Sequence, residues 1–440
     1  MKQYDLVIIG FGKGGKTLAK FASAQGKKVA VVEKSQEMYG GTCINIGCIP
    51  SKTLVHEGLG HGSFDQAFSR KTDVVNALNS KNYHNLADED NIDVLDYTAK
   101  FKSNREVNLL NDQGDVVETL SAEHVVINTG AKSVIPPING VESSKNLYDS
   151  TGIMNLDFQP KKLVIVGGGY IALEFASMFA NFGTQVTVLE RGDDIMPRED
   201  EDIVKEVKKD LADKQVDIVL NANTERFEDV EAGTLVHTTD GTYEADAVLL
   251  ATGRKPNTDL NLENTDIELG EHGEIKVNEH LQTTAANVYA LGDVKGGMQF
   301  TYISLDDFRI VKDQLFGNGE RSTENRGAVP YTVFIDPPLA RVGLTSKEAK
   351  AQGYHIMENT VPVNTIPRHK VNNDPRGLFK AVVDKDSETI LGVTLYGKES
   401  EEIINLVKLA IDQKLSYKVL NTNIYTHPTM VESFNDLFNM

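Results

Sequence analysis

The chain opens on Tyr4 to Ile9, a run dominated by branched apolar residues, which stops at Gly10-Phe-Gly12-Lys-Gly-Gly15. Apolar residues then recur at helical spacing from Thr17 to Gln25, and a second short run, Lys28 to Val32, ends on Glu33. Such runs predict buried parallel strands, and the stretch between them predicts the helix of a βαβ unit. The alternation returns at Lys162. A run to Val166 meets Gly167-Gly-Gly169-Tyr170-Ile171-Ala172, a helix is predicted from Tyr170 to Phe182, and Gln185 to Leu189 ends on Glu190. In both units the acid lies 23 positions after the first glycine. One glycine-rich turn is a weak signal; the same turn, helix, strand and acid twice in one chain predicts two dinucleotide sites.

Each position in the turn has a physical task. Gly10 and Gly167 permit the tight bend, Gly12 and Gly169 let a pyrophosphate approach the backbone, and Gly15 lets helix and strand pack closely. Glu33 and Glu190 are placed to accept from a ribose hydroxyl. A carboxylate at Glu190 disfavours a 2′-phosphate and so favours NADH; Arg191 beside it leaves NADPH open.

Elsewhere the pattern is mixed. The segment after residue 48 reads as helix to about Ser80, interrupted at Gly58, Gly60 and Gly62. Ile92 to Leu110 and Val116 to Leu120 alternate like antiparallel strands, and His124 to Ile127 reads as a further short strand closed by Asn128-Thr129-Gly130. Ala251-Thr252-Gly253 repeats that ending. A charged helix is predicted from Glu199 to Asp213. A strand ending at Gly292-Asp293 places a carboxylate suited to a polyol, and a helix follows from Tyr302 to Leu315. After the polar stretch Gly317 to Gly327, strands at Tyr331–Ile335, Ile356–Val363, Leu378–Asp384 and Thr389–Tyr396 alternate with helices at Ser346–Gln352 and Glu399–Gln413, an α+β pattern. The basic segment Pro367-Arg368-His369-Lys370, with Arg376, reads as a solvated turn, and the chain finishes in a short amphipathic helix.

Composition sets limits on this. At about 150 residues per domain, 440 residues make roughly three domains. Lysine plus arginine is 45 against 64 acids, a net charge of −19, which argues against nucleic acid or an anionic membrane as partner. No apolar stretch is long enough to span a bilayer, and the first residues carry no signal-peptide pattern, so a cytoplasmic location is expected.

The only two cysteines, Cys43 and Cys48, have four residues between them in Gly40-Gly41-Thr42-Cys43-Ile-Asn-Ile-Gly-Cys48-Ile-Pro-Ser-Lys52. So close a pair predicts a disulfide that forms and breaks in catalysis. A helix start and a nearby lysine both favour the thiolate. With no matching Cys/His pair at ligand spacing, no metal site is expected.

These segments, with the terminal His427-Pro-Thr-Met-Val-Glu432, resemble the class I pyridine nucleotide-disulfide oxidoreductases over the whole chain. The resemblance implies an α/β fold: two Rossmann-like three-layer domains, for FAD and NAD(P)H, plus a C-terminal α+β dimerisation domain. It places the FAD domain at 1–150 with a return segment at 271–325, the NAD(P)H domain at 151–270 and the dimerisation domain at 326–440. It implies a homodimer in which His427, oriented by Glu432, is the acid/base for the other subunit's disulfide. Cys48 is then the thiol against the flavin and Cys43 the thiol that meets substrate. Lys52 approaches the flavin and pairs with Glu174, and Asp293 binds the ribityl chain. The remaining cofactor contacts fall on Gly10, Gly12, Gly15, Glu33, Gly41, Thr42, Thr129 and Gly130 for FAD, and on Gly167, Gly169, Tyr170, Ile171, Glu190 and Gly253 for the nicotinamide nucleotide, with Gly292 beside Asp293.

Within the family, Gly292–Phe308 and Pro330–Leu344 are most similar to the RclA, or mercuric reductase-like, group that includes hypothiocyanous acid reductases. That implies a small oxidant, hypothiocyanous acid, as substrate. Dihydrolipoamide dehydrogenase or another low-molecular-weight disulfide reductase shares every motif and is the alternative. A mercuric or cupric reductase is the next, although this chain has no cysteine after Cys48 to receive mercuric ion and the segment around Phe434 and Phe438 is apolar instead. The non-enzymatic alternative is a flavin-binding redox sensor.

Overall fold

The computed structural model describes residues 2–60 and 62–440. Strand β1 (Lys2–Ile9), helix α1 (Lys13–Ala24) and β2 (Val29–Glu33) form the first βαβ unit. The cysteine segment then builds α2 (Thr42–Asn45) and α3 (Cys48–Leu59), and α4 (Phe64–Ala87) follows after a break at the glycines, capped by Ser63. Next come β3 (Ile92–Asp96), β4 (Thr98–Ser103), β5 (Glu106–Leu110), β6 (Val116–Ile127) and β7 (Ala131–Ser133).

The first sheet runs β3-β2-β1-β6-β5-β4. Two strand readings are corrected here. Residues 92–96 pair parallel with β2, Val29 opposite Ile92, because they are the third strand of the doubly wound sheet rather than part of a meander. Residues 124–127 are the end of the twelve-residue β6, which runs on through Ser121 and Ala122 because both pair with β1. The period of two along β1 divides two cores: Leu6 and Ile8 pack with Leu18, Ala19 and Ala22 of α1, while Val7 and Ile9 pack with Phe101 and Leu109 of the antiparallel arm. Helix, parallel sheet and meander are the three layers.

The second unit repeats the arrangement. It contains β8 (Leu147–Tyr148), β9 (Lys162–Val166), α5 (Tyr170–Asn181), β10 (Gln185–Leu189), α6 (Glu201–Asp213) and β11 (Val216–Val219), then a meander of β12 (Thr224–Val230), β13 (Gly233–Thr238) and β14 (Thr242–Ala245), and β15 (Ala247–Leu250). Its parallel sheet is ordered β11-β10-β9-β15-β8. Leu163 and Ile165 face α5, whereas Val164 and Val166 face Phe227, Val236 and Ala245 of the meander.

The two crossings between these units lie side by side: β16 (Arg254–Pro256) pairs antiparallel with β7. The chain then rejoins the first sheet, where β17 (Val288–Ala290) lies parallel to the C-terminal half of β6. Helix α7 (Thr301–Phe316) returns to pack on α1.

The last unit is an antiparallel sheet, β18-β19-β22-β21-β20, made of β18 (Tyr331–Val333), β19 (Leu339–Gly343), β20 (Ile356–Pro362), β21 (Leu378–Asp384) and β22 (Ile390–Tyr396). Its helices are α8 (Ser346–Ala351), α9 (Arg368–Asn372), α10 (Ser400–Asp412), α11 (Tyr417–Asn421) and α12 (Phe434–Leu437). Phe434 and Phe438 are fully buried in its core. The basic segment is not a free turn. It forms α9, Arg368 donates to Pro428 O at 3.1 Å, and Arg376 bridges Asp336 (3.0 Å) and Asp374 (2.7 Å), because the neighbouring acids draw the guanidinium inward. Among the described residues, no helix is long and apolar enough to cross a membrane.

Candidate active site

Gly41 explains how the cysteines reach the first nucleotide turn. Its φ is +78°, and a Cβ there would sit 2.6 Å from Gly12 Cα. Only two glycines allow this contact, and it seats α2, with Cys43, directly on the phosphate turn. One helix across both cysteines does not form. The chain doubles back at Gly47, where a Cβ would meet Thr42 O at 2.9 Å, and Cys48 becomes the first residue of the separate twelve-residue α3.

Both cysteines are free thiols, Cys43 half-buried and Cys48 exposed. They hydrogen-bond each other and titrate in opposite directions. The Cys43 thiol pulls Cys48 down to about 6, with help from Thr301 and the charge of Lys52. The same bond, with burial, pushes Cys43 well above the ordinary thiol range. Thr301 Oγ1 lies 3.4 Å from Cys48 Sγ. Of the reduced pair, Cys48 is thus the more acidic thiol and Cys43 the one that keeps its proton longer. Replacing Cys43 with Ala removes the largest cause of the Cys48 shift, so the pH midpoint for Cys48 alkylation moves up from about 6 toward the ordinary thiol value. An unmoved midpoint contradicts this origin of the shift.

Lys52 Nζ lies 2.6 Å from Glu174 Oε2, and Glu174 Oε1 accepts from Phe334 N at 2.8 Å. One carboxylate on α5 thus ties the cysteine helix to the C-terminal sheet. His427 Nδ1 lies 2.7 Å from Glu432 Oε2, and Glu432 Oε1 accepts from Thr429 N at 3.1 Å. Within one chain, neither cysteine is among the partners of His427 described here.

The nucleotide turns are built alike. Gly10 (φ +101°) and Gly167 (φ +111°) would place a Cβ 2.4 Å from Asn128 O and 2.6 Å from Ala251 O. Asn128 clamps the first turn, accepting from Gly15 N at 2.9 Å and donating to Leu291 O at 2.9 Å. Glu33 accepts from Phe11 N at 3.0 Å and Lys34 N at 2.9 Å; burial pushes its carboxyl up. Glu190 accepts from Gly168 N at 2.5 Å and Gly192 N at 2.6 Å. Thr129 Oγ1 donates to Asn257 O, and Asn257 N to Gly130 O, so this pair locks the crossing strands together. Thr42 lies against Gly130, and Gly253 (φ +113°) opens the return crossing. Tyr170 OH donates to Glu199 at 2.7 Å and its ring stacks on Tyr331, while Ile171 is exposed. Gly292 N donates to the buried Asp307 at 2.9 Å, which sets the turn carrying Asp293.

Sequence reasoning missed Asn128, Thr301 and Asp307. No local signal pairs Thr301 with a cysteine 253 positions away.

A Rossmann pair, a split first sheet and a cysteine couple at a helix start define a class, and sequence comparison gives the same one. The pyridine nucleotide-disulphide oxidoreductase profile matches residues 4–307, and that of the family's dimerisation domain matches 329–438. The chain belongs to this family of NAD(P)H-dependent flavoprotein disulfide reductases. It is 50% identical over 441 residues to the probable pyridine nucleotide-disulfide oxidoreductase RclA of Escherichia coli, covering 100% of both chains. A mercuric reductase of Lysinibacillus sphaericus is 34% identical, covering 98% of this chain and 81% of that one. A dihydrolipoyl dehydrogenase of Staphylococcus aureus is 31% identical, covering 97% and 94%. The solved structure of a Cu(II) complex of E. coli RclA, described as an HOCl-induced flavoprotein disulfide reductase, superposes with a TM-score of 0.97 over 100% of this chain and 99% of that one, at 50% identity.

The family implies FAD and NAD(P)H, and the residues present fit both. Helix α5 has no side-chain cap, and a Cβ on Gly169 would meet nothing within 4 Å, which leaves that backbone open to a pyrophosphate, whereas at α1 the amides of Gly14 and Gly15 already donate to Ser304 and Asn128. Burial pushes the Asp293 carboxyl up, and no protein donor is among its described partners, which suits a polyol donor.

Proposed function

We propose that this protein is a homodimeric NAD(P)H-dependent reductase of hypothiocyanous acid, yielding thiocyanate and water. The observation that carries the reading is the Cys43–Cys48 pair at the start of α3, with Thr301 Oγ1 3.4 Å from Cys48 Sγ and Lys52 paired to Glu174, in a chain with no further cysteine to relay electrons outward. The full-length likeness to an HOCl-induced reductase supports an oxidant as acceptor.

Bound FAD and NAD(P)H supply the electron pair that opens the disulfide. The chain's own residues do the rest. His427 of the partner subunit, oriented by Glu432, takes the Cys43 proton. Cys43 sulfur attacks the substrate sulfur, the S–O bond breaks, and the imidazolium returns the proton to the departing hydroxide as water. Cys48 thiolate then attacks Cys43 sulfur, the bond to the thiocyanate sulfur breaks, and thiocyanate leaves with its electron pair. The dithiol has lost two electrons and hypothiocyanous acid has gained them. Lys52, held by Glu174, steadies the Cys48 thiolate. Gly10, Gly12, Gly15, Glu33, Gly41, Thr42, Thr129, Gly130, Gly292 and Asp293 hold FAD. Gly167, Gly169, Tyr170, Ile171, Glu190 and Gly253 hold the nicotinamide nucleotide, and the anchored Glu190 carboxylate favours NADH over NADPH.

Cupric ion is a second acceptor, favoured by the Cu(II) complexes of the 50% identical RclA. One screen separates the readings. Oxidation of NADH and NADPH is followed with hypothiocyanous acid, lipoamide, glutathione disulfide, mercuric ion and cupric ion. The fastest turnover is expected with NADH and hypothiocyanous acid. A rate with that oxidant no higher than without it overturns the substrate.

A further inference from the structure

The cysteine segment backs onto a cavity. Ile46, between the two cysteines, and Pro50, just after them, form one wall; Val75 of α4 and the turn at 151–155 form the others. Its volume is about 120 Å³, far above the ~10–15 Å³ that one water needs, so an anion of several atoms fits. Lys71 of α4 lines the cavity and is only 6% exposed. Its ammonium donates to Met154 O at 2.8 Å and to Asn155 Oδ1 at 2.9 Å, and both of these residues line the cavity too. An ammonium has three donors, so one remains. Both acceptors are neutral, and among the described residues no carboxylate lies within ion-pair distance of Lys71. The Phe68 ring, 5.7 Å from Nζ, offsets part of the cost of burying that charge and cannot neutralise it. Neither nucleotide supplies the missing charge, because none of the residues assigned to FAD or to the nicotinamide nucleotide lines this cavity.

We propose that this cavity is a binding site for one small, weakly hydrated monoanion of the thiocyanate kind, held as the counter-ion of Lys71 behind the cysteine segment. The ammonium selects for negative charge. The apolar walls, Ile46, Pro50, Val75 and Met154, select against a strongly hydrated ion, which would lose more water than they replace. On the hypothiocyanous acid reading the product is such an anion; the site does not rest on that reading.

The test is equilibrium dialysis of the oxidised holoenzyme against radiolabelled thiocyanate at constant ionic strength. The wild type is expected to show one saturable site per chain, from which nitrate displaces the label and sulfate does not. Lys71→Met weakens binding about tenfold or more, the effect of one unmatched charge in a partly wet site. Val75→Phe fills the cavity, leaves the ammonium in place and is expected to weaken binding as much. If Lys71 only clamps α4 to the 151–155 turn, Lys71→Met loses thermal stability while thiocyanate binding is absent from the wild type or the same in both, and either result overturns the proposal. Should Lys71→Met fail to hold its flavin, Val75→Phe decides alone: unchanged affinity in that variant overturns the site. Because no turnover is involved, inactivity with hypothiocyanous acid alongside intact binding sinks the substrate and leaves the cavity site standing.

Discussion

Cys43→Ser lowers NADH-driven reduction of the oxidant by about 10⁴-fold or more, the scale seen when an active-site nucleophile is removed. The protein stays yellow. Nothing that seats FAD uses the Cys43 sulfur: α2 is held by the approach of Gly41 to Gly12 and by Asn45, whose amide donates to Tyr39 O and Gly41 O. A serine hydroxyl can still donate to Cys48, so the thiolate survives while the attacking atom is gone. Steady-state rates and the visible flavin spectrum of one preparation check both halves. A variant retaining activity removes Cys43 as nucleophile, and a colourless one shows that the cysteine is structural.

His427→Ala has the second largest effect, a loss of about 10²–10⁴-fold, as expected for removal of a positioned acid/base. The structure gives the reason. Cys43 holds its proton, because its bond to Cys48 and its burial both oppose ionisation. The proposed attack therefore needs an external base. The contacts of the imidazole suit the proposed role: Glu432 fixes one ring nitrogen, and Arg368 holds the adjoining Pro428 carbonyl. The loss appears in kcat with the flavin content unchanged.

The parts of this account that were legible in the sequence are local ones. Lys162–Val166, Gln185–Leu189 and Leu378–Asp384 are strands with the limits their apolar runs suggest, because each run is bounded by turn or polar residues. What failed depended on distant partners. Residues 92–96 alternate like an antiparallel strand, and only pairing with β2 across the length of α4 makes them parallel. The strand Leu339–Gly343 was hidden by the preceding Pro337-Pro338 and by Arg341, which is buried only because Glu199 and Glu348 receive it. At the site, the cysteine pair stood out by its spacing, and His427 with Glu432 by the family resemblance of the terminal His-Pro-Thr-Met-Val-Glu segment. Thr301 did not, since a hydroxyl at a helix start is ordinary until the fold sets it beside sulfur.

Subunit complementation tests the central claim, that each working site joins the cysteines of one chain to the imidazole of the other. Cys43→Ser and His427→Ala chains, each inactive alone, are unfolded together, refolded with FAD and assayed. In a two-fold dimer, random pairing makes about half the dimers hybrid, each with one complete site, so activity returns to about a quarter of wild type. If the imidazole serves its own chain, no hybrid contains a complete site, and a mixture as inactive as its components contradicts the account.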